Sequence, residues 1–314
     1  MANNLVGGYK KAYRVILIGL LLICGSVLAY RYYFYSQEIK RQEAFLEQRK
    51  AAWQVLKQEV ADEIRRFKGR AGVVIKDLKL DWEISYNRNG LFPSASLAKV
   101  PIMAACFLAS EEGRLNLDQQ IVLKNSDKFG GSGILKNVQA GATFTVEELI
   151  GLMIYESDNT ATNILTSLLG IDYLNDAFNR LGLKNTNLSR RIADFGSRNR
   201  GIENYTNAED ISLILERIYC GKLIKANISK KCLGILKLQR INDRIPKYLP
   251  VDIMVAHKTG LERNVCHDAG IIFSCKGDFL ICVLTRHTNP NAVASKNFIA
   301  RVALRTYVYS EKLP

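Results

Sequence analysis

Three short stretches set chemistry-bearing side chains at telling spacings: Ser96-Leu97-Ala98-Lys99, Ser157-Asp158-Asn159 and Lys258-Thr259-Gly260. A serine hydroxyl is a poor nucleophile until a base takes its proton. Positions i and i+3 share a face of a helix, so the Lys99 amine lies over the Ser96 hydroxyl. Lysine acts as a base only when its pKa is lowered, which burial and a second cation such as Lys258 achieve. A hydroxyl at a helix start also gains from the positive end of the helix dipole while an oxyanion develops. Pro101 removes the N–H that would bond the Leu97 carbonyl, a loss tolerated near a helix start. The chemistry indicated is attack on an amide carbonyl through an ester on Ser96. The first motif alone is weak; the ordered set of three is specific.

Other chemistries fit less well. His257, His267 and His287 invite a Ser/His/Asp reading, but a G-x-S-x-G turn is absent, so packed or surface histidines are expected. The Gly130-Gly131-Ser132-Gly133 stretch lacks the lysine and threonine that complete a phosphate-binding loop and is read as a rim of the pocket. Asp158 is read as a loop-fixing carboxylate. No cysteine pair forms C-x-x-C and no ligand spacing suggests a metal, so neither a metal nor another cofactor is expected. Of the seven cysteines, Cys24 falls in an apolar segment and the other six are expected as buried thiols, with Cys220–Cys232 the one disulfide left open.

The elements that must position these residues can be read in order. Residues 37–68 carry apolar side chains at helical steps (Leu46, Trp53, Leu56, Val60, Ile64, Phe67), with the stripe from Trp53 onward expected to pack on a domain. Strands are expected at Gly72–Leu78 and Asp81–Tyr86, then a helical pattern from Ser96 to about Ile245. Within it, Thr145 and Glu148 form a capping box flanked by Phe144 and Leu149, and that helix ends near Tyr155. The next spans Thr160–Leu169 and stops at Gly170. Strand character returns at Met254–Thr259, His267–Cys275 and Phe279–Arg286, followed by a helix over Ala292–Tyr309. The first motif therefore opens a helix, the second joins two helices and the third ends a strand. Strands at both ends imply one antiparallel sheet beside a helical lobe, an α/β fold.

The net charge of +14 raises the question of nucleic acid. Its distribution argues against it: residues 1–70 hold thirteen basic and six acidic residues, half of the excess, and no nucleic-acid motif accompanies the rest. Residues 15–30 (VILIGLLLICGSVLAY) are uncharged, flanked by Arg14 and Arg31 and followed by Tyr32, Tyr33, Phe34 and Tyr35. That pattern reads as a retained membrane anchor with interfacial aromatics and headgroup-facing cations, the competing reading being a signal peptide cleaved after Ala29. The organisation expected is a cytoplasmic N-terminus (1–14), a transmembrane anchor (15–35), a helical stalk (36–50) and a catalytic domain (51–314).

The stretches FPSASLAKVPIM (92–103), GILKNVQAGATFTVEELIGLMIYESDNTATNIL (133–165) and VAHKTG with HDAGII (255–272) resemble those of class A β-lactamases and the related penicillin-binding D,D-peptidases, over about residues 50–314. The resemblance implies a β-lactamase/transpeptidase-like fold in which Ser96 is acylated and Lys99 is the general base. Ser157 is implied to relay a proton to the leaving nitrogen. Lys258 and Thr259 are implied to hold the substrate carboxylate, with Gly260 in the same substrate-binding stretch, and Asn159 the amide side chain. The backbone N–H groups of Ser96 and Leu261 are implied to form the oxyanion hole. Substrates are then β-lactams, or the D-Ala-D-Ala ends of peptidoglycan stems, met by a monomer on the extracytoplasmic side of a bacterial membrane. One departure stands out. Aligning Leu188-Ser189-Arg190 with the start of the family's loop puts Ile192 where class A enzymes carry the glutamate that activates the deacylating water. Asp194 lies two residues on, and Glu203 with Asn207 has the spacing of the family's glutamate–asparagine pair but lies too close to the next helix. Slow deacylation, or deacylation through Asp194, is expected, and a sensor acylated once is a further alternative.

Overall fold

The computed structural model describes residues 2–288 and 291–312, with side chains from residue 11 onward except residue 12. Met1 and residues 313–314, which the expected organisation includes, lie outside the described residues. The chain divides into two units, one of residues 1–55 and one of Leu56–Lys312. The first is helical wherever described, as part of α1 (Ala2–Arg66). Among the described residues α1 is the one helix long and apolar enough to cross a membrane.

The second unit is built on a five-stranded antiparallel sheet in the order β2-β1-β9-β8-β7. Its strands are β1 (Arg70–Asp77), β2 (Trp82–Tyr86), β7 (Val255–Glu262), β8 (Val265–Ile272) and β9 (Phe279–Arg286). Both ends of the unit meet in it, since β1 pairs with β9 from Arg70↔Arg286 to Asp77↔Phe279. Strand β8 is buried at every position, so both its faces are covered and its apolar run does not alternate. Strand β7 closes the sheet at one edge and carries Lys258, Thr259, Gly260 and Leu261.

Between the two parts of the sheet runs the helical lobe. It comprises α2 (Lys99–Glu111), α3 (Val146–Tyr155), α4 (Asn159–Leu169), α5 (Ile171–Arg180), the short α6 (Phe195–Asn199), α7 (Ala208–Tyr219) and α8 (Ala226–Lys237); α9 (Val293–Glu311) follows the last strand. Helix α2 is apolar nearly all round and correspondingly buried from Lys99 to Phe107. Helix α7 packs on β9 and β1, α8 on β7, and α9 on β8 and β9. Two small ribbons, β3 (Phe92–Pro93) with β6 (Tyr205–Thr206) and β4 (Gln120–Val122) with β5 (Thr143–Thr145), lie outside the sequence expectation. They have two or three residues per strand, too few for an alternating pattern to register.

Thr145 caps α3 by accepting from the Glu148 N–H while Glu148 reaches back to the Thr145 N–H, as the capping box requires. The bond left open between Cys220 and Cys232 does not form: all seven cysteines are free, Cys220 being exposed and Cys232 buried. Only Cys106, Cys232, Cys266 and Cys282 are the buried thiols expected; Cys24, Cys220 and Cys275 are exposed.

Candidate active site

The turn carrying Ser96 is tighter than a plain helix start. Residues Ala95–Ala98 form a 3₁₀ turn and the α-helix begins at Lys99. Ala95 enters the turn at φ +44°, a left-handed conformation that alanine seldom adopts, which marks a turn held by its surroundings. In a 3₁₀ turn positions i and i+3 eclipse, so residues 96 and 99 still share one side. Pro101 falls in the first turn of α2, where its missing N–H would have had no intrahelical partner. The turn is braced from two sides: Ser94 N–H donates to the Asn204 carbonyl (2.8 Å), and His267 Nε2 bonds the Pro93 carbonyl (2.8 Å). Since Thr285 N–H donates to His267 Nδ1 (3.1 Å), this histidine is the neutral Nε2–H tautomer, and burial pushes its pKa down to about 4.

Lys99 points from that turn into the residues joining α3 and α4. Its ammonium donates to the Ser157 carbonyl (2.6 Å), to Asn159 Oδ1 (2.9 Å) and to Ser157 Oγ (3.2 Å). Lys258 reaches the same hydroxyl from the sheet edge, Nζ to Ser157 Oγ at 3.0 Å, and also bonds the Thr259 carbonyl (2.8 Å). Both lysines are fully buried. Burial brings the Lys99 pKa down to about 7, against the opposing pull of Asp158 and Glu262. Lys258 is held well below the usual lysine range by burial first, then by Lys99 and Arg244.

The polypeptide around Ser157 is arranged to allow this convergence. Ser157 itself is left-handed (φ +54°). Asp158 fixes the turn as expected, capping α4 through Ala161 N–H (2.9 Å) and accepting from Leu135 N–H (2.8 Å). The glycine-rich stretch packs on the same turn: Asn159 donates through Nδ2 to the Gly130 carbonyl (2.9 Å) and through its N–H to the Ser132 carbonyl (3.1 Å). Gly133 is required there, since a Cβ would come within 2.2 Å of Asp158 Oδ2 and φ is +106°.

The structure thus joins Lys99, Ser157, Asn159 and Lys258 in one hydrogen-bonded group. Ser96 is half-buried beside them, and its hydroxyl makes no hydrogen bond among the described residues. Thr259 is buried, whereas Leu261 is 47% exposed. At Gly260 a Cβ would stand 3.4 Å from the Leu97 nitrogen, so the edge strand abuts the Ser96 turn. His257 is buried, with its ring nitrogens bonded to Asp268 (Nδ1 to Oδ1, 2.9 Å) and Asn242 (Nε2 to Oδ1, 3.2 Å).

The loop from Leu188 to Thr206 is tied to α4 through Asn163 and to β7 through Glu262. Ile192 is buried, and its backbone is pinned from both sides by Asn163, which accepts from Ile192 N–H (3.1 Å) and donates to the Ile192 carbonyl (2.9 Å). Asp194 is not a free base: it caps α6, accepting from Ser197 N–H (2.9 Å) and Ser197 Oγ–H (2.7 Å). Those bonds, with Arg200 and Arg190 nearby, hold its pKa below the usual carboxylate range. Glu203 is committed to Arg190 (2.6 Å) and Arg198 (3.0 Å), and Asn207 caps α7. Sequence reading did not foresee the pairing of Arg190 and Arg198 with Glu262, which ties this loop to β7; those pairs span 72 and 64 residues and leave no local pattern.

A sequence model described as the beta-lactamase enzyme family matches residues 54–310. The chain belongs to that family. Its members are serine hydrolases acting on the β-lactam amide bond, and this chain is a serine hydrolase of that kind. It is 25% identical to beta-lactamase VEB-1 of Pseudomonas aeruginosa over 260 residues, 76% of this chain and 85% of that one. The fold is similar to the crystal structure of a beta-lactamase from Sphaerobacter thermophilus, with a TM-score of 0.75 and 29% identity over 83% of this chain and 99% of that one. It is also similar to the structure of PBP-A, with a TM-score of 0.75 and 26% identity over 82% and 96% of the two chains.

Proposed function

We propose that Ser96 is the nucleophile and that Lys99 removes its proton as it attacks the β-lactam carbonyl. The observation that carries this reading is the convergence of two buried, desolvated lysines on Ser157 Oγ. Lys99 near pKa 7 is substantially neutral at physiological pH and can take a proton. Ser157, between the two amines, passes a proton on to the departing nitrogen. Lys258 and Thr259, with Gly260, receive the substrate carboxylate, and the Asn159 amide receives the acyl side chain. The N–H groups of Ser96 and Leu261 stabilise the oxyanion, which the unpaired outer edge of β7 allows.

Deacylation is slow in this scheme. Ile192 offers no proton acceptor, Asp194 is spent on capping α6, and Glu203 on two arginines. The same observation favours a second reading, a D,D-peptidase acting on D-Ala-D-Ala ends, in which a long-lived penicilloyl ester is the expected response to β-lactams. The apolar, basic-flanked start of α1 supports a single membrane anchor over residues 15–35, and membership of the β-lactamase family supports a catalytic unit on the extracytoplasmic face.

The test uses the full-length protein in detergent with a chromogenic cephalosporin, following colour and intact mass together. A burst of one equivalent with a stable adduct on Ser96 is expected. Fast continuous turnover overturns slow deacylation, and the lack of any adduct overturns the assignment of Ser96. Release of D-Ala from a stem peptide distinguishes the peptidase.

A further inference from the structure

Four charged side chains form one cluster between the loop and the edge strand. Arg190, with 1% of its side chain exposed, donates to Glu203 Oε1 (2.6 Å) and to Glu262 Oε2 (3.2 Å). Arg198 pairs with Glu203 (3.0 Å) and Glu262 (3.2 Å), and its Nη2 bonds the Arg263 carbonyl (2.9 Å). Three members lie in the loop itself. Glu262 alone comes from outside it, two residues beyond Gly260 on the strand that carries Lys258 and Thr259. Glu203 therefore closes the loop on itself, while Glu262 ties it to β7. The carboxylates of Glu203 and Glu262 are each 10% exposed, so water screens these pairs little.

We propose that Glu262 is a positioning residue: it locks the 190–203 loop against the edge strand and so holds the Ile192 wall and the Lys258–Thr259–Gly260 segment in one arrangement for acyl transfer. The proposal rests on the acyl-transfer reading above. A merely structural brace and this role separate through charge. The groups facing Glu262 are Arg190, Arg198 and Glu203; those acting on Lys99 are Asp158, Glu262 and Lys258. The Glu262 carboxylate raises the pKa of Lys99, so neutralising it lets Lys99 stay unprotonated to lower pH.

The test is made on the full-length protein in detergent, with single-turnover acylation by a chromogenic cephalosporin from pH 5 to 9 and tryptic cleavage after Arg191 and Arg200 measured in parallel. Glu262→Gln keeps the shape and removes the charge. It is expected to lower the acylation plateau about tenfold through misplacement of the pocket walls. It should also move the acid limb down by about half a pH unit and speed loop cleavage several-fold. Arg198→Met should speed cleavage without moving the limb down. Wild-type acylation, limb and cleavage in Glu262→Gln overturn the proposal; should that variant fail to fold, wild-type cleavage in Arg198→Met overturns it. If the wild-type protein forms no adduct, the acyl-transfer reading fails instead, and the cleavage rates still decide whether Glu262 holds the loop.

Discussion

The lysine-lined floor of the pocket and the loop over residues 190–203 both bury ionisable groups, and they do so in opposite ways. On the floor, Lys99 and Lys258 are removed from water with neutral hydrogen-bond partners, a serine hydroxyl, carbonyls and an amide, so desolvation outweighs the pull of the carboxylates Asp158, Glu262 and Asp268 and both pKa values fall. In the loop, the buried Arg190 and the half-buried Arg198 sit against Glu203 and Glu262, charge against charge. On the proposed reading, the lysines whose pKa values fall serve ester formation, while the paired arginines act as struts that leave the 190–203 loop rigid.

The contrast can be broken from either side. The largest effect is expected on the floor: Lys99→Met should slow acylation by about 10²–10⁴-fold, the range for loss of a general base, as read by single-turnover mass spectrometry. Wild-type acylation in that variant would remove the floor's claim to the chemistry. Next is Ile192→Glu, which places a carboxylate on the inert wall and should speed ester hydrolysis by about a hundredfold; an adduct as long-lived as in the wild type would show that position 192 does not face the ester. The pH profile follows. If Lys99 is the base, as proposed, it acts when neutral, so below about pH 7 acylation should fall tenfold per unit, and above it level off. A profile flat down to pH 5 would mean that Lys99 is not the group that titrates. On the strut side, Arg190→Met leaves two carboxylates short of a partner and should cost about 3–5 kcal/mol of stability in urea unfolding. The smallest effect is expected remote from both walls, where Thr145→Ala should cost about 1 kcal/mol through loss of the α3 cap and leave acylation untouched.

What could be read in the sequence follows the range of the interactions involved. Ser96–Lys99, the Thr145–Glu148 cap and the strand over Phe279–Arg286 depend on neighbours a few positions away, and all three are where spacing put them. The meeting of Lys99 and Lys258 at Ser157 was legible only because three motifs were recognised together. No periodicity announces a contact over 101 residues. The capping role of Asp194 was not legible, because the helix it caps has five residues, too few for a pattern. The cluster of Arg190, Arg198 and Glu262 was not legible, since nothing in a chain of +14 distinguishes an arginine such as Arg190, which is buried, from a solvated one. The 3₁₀ turn at Ser96 follows from Ala95 taking a left-handed φ, which propensity argues against and tertiary packing imposes.

The pairing of β1 with β9 has a consequence for how the protein comes to exist. Arg70 must wait for Arg286, more than 200 residues later, before the centre of the sheet can close. A ladder that joins the first and last strands is slow to find and leaves an open edge while the chain is still growing. A newly made chain must therefore be kept from pairing its first strand with a neighbour's last; on the proposed anchor, made before any of the sheet, that hazard grows where chains crowd on one membrane.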